Sequence, residues 1–247
     1  DVRIIDNYLL QNRGTSCVND IWKTAMDEVG CSMLSRAAHF DSVEVMDVLK
    51  VHGVNIHIKD QNSRQAIHYA AQYCHKRALC WLIRNRADVS ADAHGITPLH
   101  IAIGNIRDSS LNENRVLEVI RILLFKGANV TAKENIITFS TPLELVATTL
   151  RSDKSKSTNF VTPLIANVIR SLVHYDKNII NDADANNGGR TLIQQSLLDG
   201  NEPMVSLLLE LGAKRDIPRF ALSRQISNLG MDRDEIYADR IFQNEYG

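Results

Sequence analysis

Apolar residues recur three or four positions apart along most of the chain, and the helical runs come in pairs. In each pair a short first run is rich in alanine or leucine, and a longer second run is amphipathic. The second runs include Val43, Val45, Met46, Val48 and Leu49, then Val116 through Leu124, then Met204 through Leu209. They stop at Gly53, Gly127 and Gly212, where a left-handed residue closes a helix without steric cost. Toward the amino end, Ile4, Ile5, Tyr8 and Leu9 keep helical spacing before Gly14, and Ile21, Trp22, Ala25 and Met26 mark another helix. Toward the carboxyl end, short helices are predicted over 221–229 and 232–244, the second presenting Ile236, Tyr237, Ile241 and Phe242 as a cover.

The first runs align in one register. Ser32-Met33-Leu34-Ser35-Arg36-Ala37-Ala38 matches Gln65-Ala66-Ile67-His68-Tyr69-Ala70-Ala71 and Thr97-Pro98-Leu99-His100-Ile101-Ala102-Ile103. Thr141-Pro142-Leu143-Glu144-Leu145-Val146-Ala147 and Thr191-Leu192-Ile193-Gln194-Gln195-Ser196-Leu197 continue it. A threonine at the start accepts from exposed first-turn amides, and proline at the next position sacrifices no hydrogen bond there. This pattern resembles the ankyrin-repeat family, whose Thr-Pro-Leu-His motif is matched at His68 and His100 and whose Gly-Ala-Asp-Val turn is matched at Gly127-Ala128-Asn129-Val130 and Ala87-Asp88-Val89. The first repeat departs from the motif with Met33 and Ser35, the fifth with Leu192 and Gln194; these changes bear on helix-start hydrogen bonding rather than on the fold. The resemblance implies an all-α, ankyrin-repeat solenoid of about five helix-turn-helix repeats with irregular helical caps.

Equivalent positions are 33 residues apart from Leu34 to Ile67, 32 to Leu99, 44 to Leu143 and 50 to Ile193, so the third and fourth repeats carry insertions. The expected layout is a helical cap or degenerate repeat over 1–29, repeats over 30–216 (about 30–62, 63–94, 95–138, 139–188 and 189–216) and a helical cap over 217–247. Polar insertions at 107–114 and 151–158 both fall between the two helices of a repeat, where solvated loops side by side on one edge are expected. The turn over 182–189 is also long. The chain starts at Asp1 without a methionine, which suggests a fragment of something longer.

Composition then narrows the partners. Twenty-eight Lys and Arg balance 29 Asp and Glu, so no bulk field draws phosphates or anionic lipid, and direct nucleic acid binding is not expected. Apolar runs of four or five residues are far short of a membrane span. Four cysteines without a Cys-x-x-Cys pair fit a reducing compartment, cytoplasmic or nuclear. No phosphate loop, nucleophile elbow or His-Glu-x-x-His occurs, so a non-enzymatic chain with no cofactor, no metal and no catalytic residues is expected. Cys74-His75 with Cys80 is the nearest approach to a metal or nucleophile cluster; Cys74 is expected to replace a turn glycine and Cys80 to pack as a small apolar residue. His68 and His100 are assigned the structural task of tying one turn to the next, while His39, His57 and His94 fall on the groove side or at turn tips.

A repeat stack of this kind offers a concave face formed by turn tips and the exposed ends of the first helices, suited to another protein or an extended peptide. The resemblance places partner contacts at Glu28, Cys31, His39 and Phe40 in the first repeat, Gln61, Asn62, Arg64, Gln72 and Tyr73 in the second, and His94, Ile96 and Asn105 in the third. Thr148 and Thr149 follow in the fourth, Arg190 and Asp199 in the fifth. Phe40 and Tyr73, at equivalent places in adjacent repeats, are either binding anchors or core. Alternatives of another class are the ankyrin segment of a larger enzyme or secreted effector and the cytosolic arm of a membrane channel.

Overall fold

Every first helix begins with a residue that ties its own amide or side chain to the position three along, and five residue pairs perform this task. Ser32 Oγ accepts from the Ser35 amide at 3.1 Å and donates to Ser35 Oγ at 2.9 Å. The amides of Gln65 and Thr97 donate to the Nδ1 atoms of His68 and His100, at 3.0 and 3.2 Å. Thr141 with Glu144, and Thr191 with Gln194, close reciprocal capping boxes. The departures at Ser35 and Gln194 therefore preserve the helix start by other chemistry.

The computed structural model describes residues 30–108, 110–133, 140–151, 161–184 and 189–214; the expected end caps over 1–29 and 217–247 lie outside them. The chain divides into two compact units, Asp1–Thr149 and Leu150–Gly247. In the first unit, α1 (Met33–His39) and α2 (Val43–Val51) form one pair, α3 (Ala66–Gln72) and α4 (Lys76–Arg84) the next. The pair α5 (Pro98–Gly104) and α6 (Glu113–Phe125) follows, and then α7 (Pro142–Arg151). The helices α1, α3 and α5 pack side by side as an inner layer, and α2, α4 and α6 as an outer one. Leu34, Ile67 and Leu99 lie fully buried at matching inner positions, faced by Leu49, Leu82 and Leu123 from the outer helices. Polar contacts join consecutive repeats at the same level: Trp81 Nε1 donates to Asp47 at 2.6 Å, the Ala78 amide to Asp41 at 2.8 Å, and Arg77 to Glu44 at 2.8 Å.

The helix ends show the same economy. Each outer helix closes with a six-to-one hydrogen bond, Val54 to Leu49, Ala87 to Leu82 and Ala128 to Leu123, which requires a left-handed residue just before the donor. Gly53 (φ 80°) and Gly127 (φ 84°) meet that requirement, but Arg86 meets it with φ 66°. Cys74 (φ 52°) takes the left-handed turn position after α3, as expected of a residue in a glycine's place. Replacing exposed Arg86 by glycine should stabilise the protein by about 0.5–1 kcal/mol, since relief of left-handed strain exceeds the added unfolded-chain entropy. A melting temperature unchanged or lowered in Arg86→Gly would show that the strain is absent.

The expected 107–114 loop is shorter than the spacing suggests. Residues Asn105–Arg107 form a 3-10 turn, and Asn112 accepts from the Asn114 amide to start α6 at Glu113, so Glu113 and Asn114 are helical. Part of the insertion lengthens the second helix to 13 residues instead of the nine of α2 and α4. The other insertion begins within α7, whose last residue is Arg151, and 152–160 lie outside the described residues.

In the second unit, α8 (Pro163–Tyr175) leads through a 3-10 turn, Asn178–Asn181, to α9 (Leu192–Leu198) and α10 (Glu202–Glu210). The long turn before α9 pairs its two ends: β1 (Ala183–Asp184) runs antiparallel to β2 (Arg190–Thr191). Val168, Ile169, Leu172, Ile193, Leu197 and Leu208 are buried there. Helices dominate both units, an all-α repeat architecture.

Candidate interaction surface

The inner helices of the first unit put their last turns at one level, and there the sequence supplies aromatic rings. Phe40 directly follows α1 and is 66% exposed, so of its two expected roles it takes the surface one. The His39 ring lies 4.5 Å from Phe40 and 4.1 Å from Tyr73, centroid to centroid, and Tyr73 stacks on His75 at 6.1 Å. Tyr73, directly after α3, is half-buried in this row. His75 Nε2 donates to the His39 carbonyl at 2.9 Å, which fixes the row across the repeat boundary. Burial, then the charges of Arg36 and His75, hold the His39 imidazole below its ordinary value, favouring a neutral ring.

His75 is not among the expected contact residues, because in the sequence it stands out only beside Cys74 and Cys80, as part of a candidate metal or nucleophile cluster. Among the described residues no group of His, Cys, Asp and Glu is arranged to hold a metal ion. Cys74 is buried, its thiol pushed up by that burial, with Asn105 Nδ2 3.4 Å away. Cys80 is half-buried on α4.

Other expected contact residues divide by burial. Gln61, Asn62 and His94 are exposed on the turns before α3 and α5, while Arg64 and Ile96 are half-buried just before those helices. His94 lies in a turn closed by the bridge between Ala93 and Ile96. Gln61 is laid over Gly30. Arg64 donates from Nη1 to Gln72 Oε1 at 3.3 Å. Asn105 uses its amide as a brace, donating to the carbonyls of Ala71 at 3.1 Å and Gln72 at 2.8 Å, so its side chain holds α3 to α5.

Cys31 is a correction. It is 8% exposed, and its thiol lies 3.1 Å from the Tyr69 hydroxyl. That hydroxyl gives its one hydrogen to Asp60 Oδ2, so the thiol is the donor in the Cys31 contact. Burial and then the Asp60 bond raise the Tyr69 phenol far above its ordinary range. Asp60, 8% exposed, also accepts from the amides of Asn62 and Arg64, both at 2.8 Å. This carboxylate holds the turn that presents Gln61, Asn62 and Arg64.

Glu28 lies outside the described residues. Thr148 and Thr149 stand on α7, their side chains likewise outside them. Arg190 and Asp199 belong to the second unit; Arg190 is half-buried on β2, and exposed Asp199 accepts from Gln195 Nε2 at 2.9 Å.

His68 and His100 bind one repeat to the next. Accepting at Nδ1 leaves the proton on Nε2, which donates to the Ala91 carbonyl at 3.0 Å from His68 and to the Ser140 carbonyl at 3.2 Å from His100. The family model for ankyrin repeats, three copies, matches residues 34–134, the span that contains both histidines. Residues 34–134 are ankyrin repeats. A curated relative, the transient receptor potential cation channel subfamily A member 1 of Homo sapiens, is 30% identical over 106 residues, covering 41% of this chain and 9% of the relative. The ankyrin segment thus spans under a tenth of that protein's length. Among the described residues no helix is long and apolar enough to cross a membrane.

Proposed function

We propose that the first unit is a non-enzymatic binding module that receives a partner peptide or domain across the inner-helix ends and the adjoining turns. Ankyrin repeats are protein-interaction modules in general. The observation that carries this reading is Phe40, a large apolar ring 66% exposed with the tilted His39 ring 4.5 Å away and Tyr73 in the same row. Such rings contribute contact area at low entropy cost and are frequent hot spots. Phe40→Ser with Tyr73→Ser should reduce partner affinity at least tenfold while far-UV circular dichroism still shows a folded stack. Partners recovered from lysate by the parent chain and equally well by the double variant would sink the reading.

Similarity to the cation channel supports a second reading, in which these repeats are one arm of a longer protein. The full coding sequence decides it: membrane-spanning segments outside residues 1–247 are the expected finding, and a complete reading frame without them overturns it.

A further inference from the structure

The same face carries a charge as well as rings. The guanidinium of Arg64 has five N–H donors, and its side-chain partner is a neutral amide, Gln72 Oε1 at 3.3 Å. Asp60, the nearby carboxylate in sequence, is turned inward and saturated by two amides and the Tyr69 hydroxyl. The carboxylates of Asp41, Glu44 and Asp47 are engaged with α4, through the Ala78 amide, Arg77 and Trp81. Asp108, near Cys74, accepts from the amide and hydroxyl of Ser110. Among the described residues, Arg64 thus holds its charge on the docking face beside a neutral amide rather than a carboxylate.

Gln72 draws the guanidinium toward the end of α3, where Tyr73 continues the row through His39 to Phe40. Neighbouring inner helices lie about 10 Å apart, the length of roughly three residues of extended chain. A ligand that uses both features therefore needs an anionic group and an apolar group at that separation. Arginine suits a carboxylate because its planar fork gives two parallel hydrogen bonds.

We propose that this face takes an extended peptide in which an Asp or Glu side chain, held by Arg64, stands two to four residues from an aromatic or aliphatic side chain seated on Phe40 and Tyr73. The proposal rests on the docking reading above and names the chemistry of its partner. Charge complementarity selects the acidic segment, and the exposed ring selects its apolar neighbour.

The test is selection from a displayed library of random twelve-residue peptides on the full chain, followed by fluorescence anisotropy with the best peptide and its Glu→Gln or Asp→Asn counterpart. The acidic peptide should bind at least tenfold tighter than its amide, and the advantage should shrink with added salt. Arg64→Gln should erase that advantage, since the turn is built from the Arg64 backbone and not its side chain; Phe40→Ser should weaken both peptides alike. Equal binding of acid and amide, an advantage that survives Arg64→Gln, a basic or acid-free consensus, or no binder at all overturns the proposal. Acid-free peptides still lost on changing Phe40 and Tyr73 would leave the docking face standing; binding indifferent to both rings would remove that too.

Discussion

Replacing His68 by alanine should cost about 4 kcal/mol of folding stability, a large share of what a domain of this size possesses. The side chain is fully buried and links the start of its own helix to the next repeat: Nδ1 accepts from the Gln65 amide, and Nε2 donates to the Ala91 carbonyl in the turn before the next repeat. Alanine leaves a buried donor and a buried acceptor without these partners and opens a cavity of imidazole size. Urea denaturation of His68→Ala checks the figure; a loss under 1 kcal/mol would mean the ring is not a tie between repeats. A pH dependence accompanies it. Burial, with the nearby Arg64 charge, depresses the folded His68 below its ordinary value of about 6.5. The unfolded chain then takes up a proton that the folded chain refuses, so the contribution is complete above pH 6.5 and is lost as pH falls from there toward the folded value. His68→Gln should flatten the part of the stability curve that this ring causes.

Asp60→Ala should cost about 3 kcal/mol, because three donors are left in a half-dry turn: the amides of Asn62 and Arg64 and the Tyr69 hydroxyl. The equivalent aspartate one repeat on supplies an internal control. Asp92 is exposed and accepts from the Gly95 amide, and Asp92→Ala should cost no more than about 1 kcal/mol. Thermal or urea melts of the pair separate burial from motif position, and equal losses would show that motif position alone matters. Loss of Asp60 should also loosen the turn carrying Gln61, Asn62 and Arg64, so peptide affinity should fall further than the number of direct contacts suggests.

Burial separates residues that the sequence sets at equivalent places. Phe40 and Tyr73 hold equivalent positions in the sequence, yet one is largely exposed and the other half-buried. Chain order places Cys31 and Arg64 equivalently too, immediately before an inner helix, but the thiol lies inward against Tyr69 and the guanidinium lies along the helix to Gln72. The residue that turns Cys31 inward comes from the next repeat, Tyr69 being 38 positions away, whereas Gln72 lies eight positions from Arg64 on the helix that follows it; Asn105 reaches back 34 to the Ala71 carbonyl.

Helix pairing and its register were local facts, and so were the Nδ1 caps of His68 and His100 at their own helix starts. Apolar spacing, a capping residue and a turn former act within a few positions, so the first helices and the glycine stops were readable from the chain alone, while the repeat register set His68 and His100 where they could tie successive turns. Local strain could be read only in part, because Arg86 and Cys74 do in left-handed turns what glycine does elsewhere. The aromatic row, the inward turn of Cys31, the bracing role of Asn105 and the setting of Arg64 against the neutral amide of Gln72 required the tertiary structure. Each depends on which side chains from successive repeats meet, and that is set by stacking rather than by spacing along the sequence.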